Sequence, residues 1–280
     1  MVKAIDMHVH IKTGETVGQA GHKHNLGKPG QHPDEMAEMY QKLDVMAVIF
    51  DVDHETRTGV KSSNADTAGW VRKYPKTFMG FGSVDPWKGN QAVDEVKRCA
   101  DLGLLGMKFQ QASQAFCPTN PRFFPIWEMC NRLKLPVIFH GGTTMICGGE
   151  PGGGGLVLEY CKPIPYLDDI AARYPELRII IAHPAWPWHD DQLAVLRHKA
   201  NVYMDLSGHA PKYFPESIVH NANTLVQDKV FFGSDFPVIT PKRWLDEFAT
   251  LPFKDSVRPK ILLHNFAKFI GIELPDAVKA

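Results

Sequence analysis

The sequence predicts one (β/α)8 barrel, a TIM barrel, formed as a single domain over residues 1–280. Three observations predict it. Eight short apolar runs recur along the chain with helix-like segments between them, the element budget of such a barrel. Several runs end in a histidine or an aspartate. Three long loops each follow a run, and in a barrel all three crowd the C-terminal face, where active sites lie.

The runs are Ala4–His10, Val45–Phe50, Phe78–Val84, Leu104–Phe109, Pro136–His140, Arg178–His183, Asn201–Leu206 and Val230–Asp235. Val48-Ile49-Phe50 and Ile179-Ile180-Ile181 are continuously apolar, the pattern of parallel strands covered on both faces. The first intervening helix opens at Pro33-Asp34-Glu35, a proline followed by acids that favours a helix N-terminus. Asn90–Ala100 places Ala92, Val93, Val96 and Ala100 at helical spacing, and Gly103 follows as a stop. Further helices are expected from Asn120-Pro121 through Trp127 to Leu133, and over Ile164–Tyr174, Asp190–Lys199, Tyr213–Val226, Lys242–Ala249 and Pro259–Ile270. An open, doubly wound sheet is the alternative, but the first strand lacks a Gly-rich phosphate loop behind it. The long loops are Ile11–His32, Asp51–Asn64 and Gly141–Pro163. The last contains Gly148–Gly155 with no Gly-Lys-Ser/Thr after it, so a flexible surface lid is the better reading than a nucleotide loop.

Composition narrows the function classes. The chain is 44% hydrophobic and 22% charged, and its 31 basic side chains balance its 31 acidic ones. That balance is not the footprint of a nucleic-acid binder, and no apolar run is long enough to span a membrane. A strand-like segment starts almost at Met1 with no charged-then-apolar leader, so a cytoplasmic location is expected. The five cysteines form no CxxC pair, which fits a reducing compartment. The expected partner is a small-molecule substrate.

The chemistry gathers at the ends of the runs. In His8-Val9-His10 the histidines are two apart on a strand and point to the same side. Lys108 lies in the fourth run, His140 and His183 end the fifth and sixth, and Asp235 ends the eighth. Polar residues closing apolar strands at separate points cost desolvation unless they share a partner, and a divalent metal ion is the economical one. Three imidazoles and a carboxylate make a nearly complete shell with room for water, whose pKa the metal lowers. A fourth histidine and a carboxylate nearby then move protons. A metal-free binding barrel is the competing reading.

These motifs resemble the amidohydrolase superfamily, specifically its amidohydrolase 2 branch, which includes the aminocarboxymuconate-semialdehyde decarboxylase-like enzymes. The resemblance rests on His8-Val9-His10, His140-Gly141, His183-Pro184 and Gly233-Ser234-Asp235-Phe236-Pro237, and spans nearly the whole chain. The tail Ile261–Gly271 resembles the branch's closing Gly-Asn-Ala helix but departs from it at His264 and Phe266. The resemblance implies His8, His10, His140 and Asp235 as metal ligands. It implies His183 as the acid/base beyond them, acting with Asp235 in catalysis. It also implies one divalent metal, zinc first and manganese as the alternative, and a homodimer or larger assembly. Binuclear relatives carry a carboxylated lysine on strand 4; the mononuclear branch does not, which leaves Lys108 to contact a substrate carboxylate or phosphate.

Several segments resemble the subgroup of 4-hydroxyphenyl-β-ketoacyl-CoA hydrolases. They are Phe81–Gly89, Gly152–Gly155, Pro163–Asp169, His183–Trp188 and Asp205–Gly208. This implies a metal-dependent hydrolase cleaving a carbon–carbon bond of an aryl β-ketoacyl-CoA. The alternative is a non-oxidative, metal-dependent decarboxylase of an aromatic or muconate-type acid. Trp186 and Trp188 are expected to wall an aromatic pocket. His22, Lys23, His24 and Lys28 are candidates to meet acyl-CoA phosphates, against the plainer reading of a solvated basic loop.

Overall fold

The computed structural model describes residues 2–16 and 32–273. Among them, eight strands follow one another: β1 (Ala4–His10), β2 (Val45–Phe50), β3 (Phe78–Gly80), β4 (Met107–Phe109), β5 (Val137–His140), β6 (Ile179–Ala182), β7 (Val202–Asp205) and β8 (Val230–Phe231). All neighbours are parallel, in the order β1-β2-β3 and β4-β5-β6-β7-β8. Parallel bridges from Gly82 to Met107 and from Val9 to Phe236 join the two ladders at both seams, and the sheet closes on itself. The predicted barrel is the observed fold.

Each apolar run contains a strand, but two runs, Phe78–Val84 and Val230–Asp235, continue well past the ends of their strands. β8 leaves its ladder after Phe231: the Phe232 amide turns to Ile261 O (2.9 Å), and Asp235 takes a left-handed φ of 62°. The chain then rejoins β1, with Asp235 N donating to His8 O (2.9 Å) and His10 N to Phe236 O (2.8 Å). β3 likewise ends at Gly80, and the chain beyond it meets β4 through the bridge from Gly82 to Met107. Apolar character therefore reports burial at these ends, while the ladder itself is interrupted.

β1 carries a bulge. Asp6 pairs with Ala47 and Val9 with Ile49, so Met7 and His8 together face one residue of β2. A bulge of this kind re-aims side chains. Here it lets Met7 join the apolar barrel interior while His8, next to it, joins the polar site above.

The predicted helices are present, several as a 3-10 or π turn running into an α-helix: Pro33–Lys42, Asn90–Asp101, Phe124–Arg132, Asp168–Arg173, His189–His198, Glu216–Ala222, Pro241–Thr250 and Asn265–Ile270. A further helix, Asn64–Lys73, stands where the sequence reading placed no helix. Ser63 caps it by accepting from Asp66 N (3.1 Å). Among its residues Asn64, Thr67 and Ala68 are buried, a stripe too polar and small to register as helical periodicity. In the Gly148–Gly155 loop, Gly152, Gly153 and Gly154 sit at φ of 61°, 58° and 61°, a left-handed run that glycine alone adopts readily.

The core has two layers. Outward-facing strand residues such as Ala47, Phe109, Val137, Ile181 and Met204 pack under the helices with Trp127 and Trp244. Inward-facing Ile5, Met7, Val48, Phe50, Ile138, Ile180 and Phe231 fill the barrel. The C-terminal helix plugs its lower end: Phe266, Ala267 and Phe269 join the interior cluster, and Asn265 Nδ2 donates to Val230 O (2.9 Å). Phe266, one of the departures from the family tail, is thus a plug residue, 1% exposed. Phe266→Ala should lower stability by about 3–5 kcal/mol with an unchanged denaturant slope, measured by chemical unfolding. A loss below about 1 kcal/mol would place the plug outside the cooperative core.

Candidate metal centre

The barrel's upper end gathers the predicted residues. His8, His183 and Asp235 each offer one ligand atom, all within 4.8 Å of one another. His10 joins through Asp235, its Nε2 3.2 Å from Oδ1, and the His8 Nε2 is 3.4 Å from the same oxygen. His140 joins through His183, Nδ1 to Nε2 at 3.1 Å. His183, expected beyond the ligands, thus sits inside the tightest group, with His10 and His140 flanking it. The backbone explains the placement: His183 has a left-handed φ of 66°, which carries its ring inward from the end of β6. His183 and Asp235 are both non-glycine residues in this sparsely populated region, and such strain persists only where surrounding structure enforces it.

The enforcing residues are ones the sequence reading quoted without a role. Asp205, ending β7 and fully buried, lies with Oδ2 2.9 Å from His8 Nδ1. Its Oδ1 accepts from His183 N (3.2 Å), from Ser207 N (2.9 Å) and, in a very short contact, from the Ser207 hydroxyl. Ser207 Oγ in turn lies 2.8 Å from His183 Nδ1. On the other side, Asp6 accepts from Tyr40 Oη (2.8 Å), Ser234 N (2.8 Å), Ser234 Oγ (2.5 Å) and His8 N (3.3 Å). One network therefore fixes both segments that carry His8 and Asp235. The signal that could have found Asp205 was the one applied elsewhere: a charged residue near the end of an apolar run.

The electrostatics suit a cation. Burial pushes His8 down, pushes His140 well down and takes His183 to about 3, so these imidazoles are neutral at physiological pH, the form a metal needs. Burial also raises Asp235, but the hydrogen bond from His10 and the facing histidines outweigh it and hold the carboxyl well below its ordinary range. Because a carboxylate bonds to His8 Nδ1, the hydrogen belongs there and Nε2 is presented to the site, an arrangement that orients metal-binding histidines.

Lys108 is buried in the same place. Its Nζ lies 3.3 Å from His8 Nε2 and 5.4 Å from the centre of the Phe50 ring. Burial lowers it to about 8 despite Asp205 and Asp235 nearby. The tryptophans lie further out on the loop after β6. Trp186 is 54% exposed, and Trp188 carries Lys162 over its ring at 5.4 Å. His22, Lys23, His24 and Lys28 lie outside the described residues. Asp205→Ala should weaken divalent-metal affinity by about 10–100-fold through loss of the His8 partner, read by competition with a chromogenic chelator. Wild-type affinity in this variant would show that His8 needs no such partner.

Comparison with known proteins agrees with this architecture. A curated enzyme of Dictyostelium discoideum, 2-amino-3-carboxymuconate-6-semialdehyde decarboxylase, is 24% identical over 240 residues, 75% of this chain and 66% of that enzyme, just under two thirds of its length. An uncharacterised TIM-barrel protein of Bordetella bronchiseptica superposes with a TM-score of 0.72 at 20% identity, covering 96% of this chain and 98% of that one. A dihydroxybenzoic acid decarboxylase of Polaromonas sp., solved with bound manganese and 2-nitroresorcinol, superposes with a TM-score of 0.67 at 19% identity, covering 97% of each chain. The family model described as Amidohydrolase, of the amidohydrolase 2 type, matches residues 5–272, and the chain belongs to that family.

Proposed function

We propose that this protein is a metal-dependent, non-oxidative decarboxylase of a small aromatic or muconate-type carboxylic acid. The observation that carries the proposal is the buried cluster of neutral imidazoles and one carboxylate at the barrel mouth, with the Lys108 cation beside it. The relatives favour decarboxylation over the β-ketoacyl-CoA hydrolysis that the sequence reading placed first: the Dictyostelium and Polaromonas proteins named above are both decarboxylases. Neither of these two relatives is an acyl-CoA hydrolase.

The donor set fits a divalent ion. His8, His10, His140 and Asp235 are the proposed ligands, and imidazole with carboxylate accepts zinc or manganese alike. When bound, the metal supplies Lewis acidity to the substrate's carboxylate and its neighbouring oxygen. The protein's own groups do the rest. Lys108 holds the carboxylate through a charge that burial leaves little screened. His183 carries the proton that replaces carbon dioxide. Trp186 and Trp188 line the approach of the planar substrate. The chain is proposed to work as a homodimer or larger assembly.

The test is a panel of ortho-hydroxybenzoates and carboxymuconate-type acids, followed by carbon dioxide release. Turnover should vanish with EDTA and return with zinc or manganese. Lys108→Ala should cost about 2 kcal/mol or more in kcat/KM, because a buried charge pair loses one partner. Release of coenzyme A from aryl β-ketoacyl-CoA esters, with no carbon dioxide from any acid, would reverse the assignment.

A further inference from the structure

The Asp205–Ser207–His183 contacts determine where the imidazole hydrogen sits. Asp205 Oδ1 accepts from two backbone amides, His183 N at 3.2 Å and Ser207 N at 2.9 Å. An amide N–H only donates, so this oxygen is an acceptor. The Ser207 hydroxyl makes a very short contact with the same oxygen and must be the donor there. A hydroxyl has one proton. With that proton directed at Asp205, Ser207 Oγ meets His183 Nδ1 at 2.8 Å with a lone pair only. Nδ1 therefore bears the hydrogen. In a neutral imidazole the other nitrogen is then bare.

The surrounding backbone is shaped for this contact. Gly208, at φ +71°, lies so close that a Cβ there would fall 2.5 Å from His183 Nδ1. Any other residue would push the ring off Ser207. Gly233 sits on the far side, where a Cβ would fall 2.9 Å from both His8 and Ser207. The bare Nε2 points the other way, to His140 Nδ1 at 3.1 Å.

We infer that Ser207 is a positioning residue that, anchored by Asp205, fixes His183 as the Nδ1–H tautomer and leaves the Nε2 lone pair facing the site. The inference rests on the proposed decarboxylation for its chemical consequence. In that reaction the bond from the substrate carbon to the carboxylate carbon breaks and its electron pair stays on the substrate carbon. Nε2, bare at the start, first takes a proton from water, leaving hydroxide, and the substrate carbon then takes that proton as carbon dioxide departs. With the other tautomer, Nε2 would already hold a hydrogen and could take up none.

The test is long-range 1H–15N NMR on the full chain labelled at histidine nitrogens, which distinguishes Nδ1–H from Nε2–H directly. Wild type should show His183 protonated at Nδ1. Ser207→Ala should shift it toward Nε2–H or a mixture, and Ser207→Thr, which keeps the hydroxyl, should restore it. Turnover should follow the tautomer: kcat of Ser207→Ala falls roughly tenfold to a hundredfold while KM and bound metal stay within about twofold. Nε2–H in wild type, or an unchanged tautomer in Ser207→Ala, overturns the inference without recourse to activity. A shifted tautomer with undiminished carbon dioxide release would keep the lock and overturn His183 as the proton carrier, the reading it rests on.

Discussion

The seam between β1 and β8 is the constraint on which the rest depends. A barrel closes only if its last strand finds its first, and here the last strand is short and leaves its ladder early. Asp6 supplies the missing attachment. Its carboxylate gathers the amide and hydroxyl of Ser234, the phenol of Tyr40 and the amide of His8. Such a buried carboxylate is tolerable only because its donors are present together. Closing the seam in this way sets the histidines of β1 against Asp235. Fold closure and site assembly are thus one event, and the bulge in β1 lets one strand serve the apolar interior with Met7 and the polar mouth with His8.

Asp205 plays the matching part across the barrel, joining β1, β6 and the turn after β7. Asp6 ties the β1 and β8 segments through amides and hydroxyls, while Asp205 also reaches the imidazoles, His8 directly and His183 through Ser207. Burial keeps these imidazoles neutral, which costs the fold nothing in ionisation and leaves lone pairs facing the site. The same burial makes Lys108 an unusual cation, pushed down to about 8 and confined beside a histidine.

Much of this was legible in the sequence because the fold repeats one simple signal. Continuous apolar runs such as Ile179–Ile181 marked strands covered on both faces, and His8, His140, His183 and Asp235 stood out as polar terminators of those runs. What was not legible depended on shape. Asn64–Lys73 is a helix with too small an apolar stripe to show a period. Asp205 carried the signal of a charged residue near a run's end but was not its last residue, and Ser207, just past Leu206, had nothing local to separate it from an ordinary polar residue. The left-handed turns that bring His183 and Asp235 inward have no composition signal, since neither is glycine. Which histidines lie nearest one another followed from those turns, and the motif alone ordered them differently.

The most direct measurement is the metal content of the purified chain beside His8→Ala and Asp235→Ala, each checked for a folded barrel by circular dichroism. The account predicts about one tightly held divalent ion per wild-type chain and its loss from both variants. Wild-type protein that takes up no ion, even after incubation with zinc and with manganese, would contradict the account.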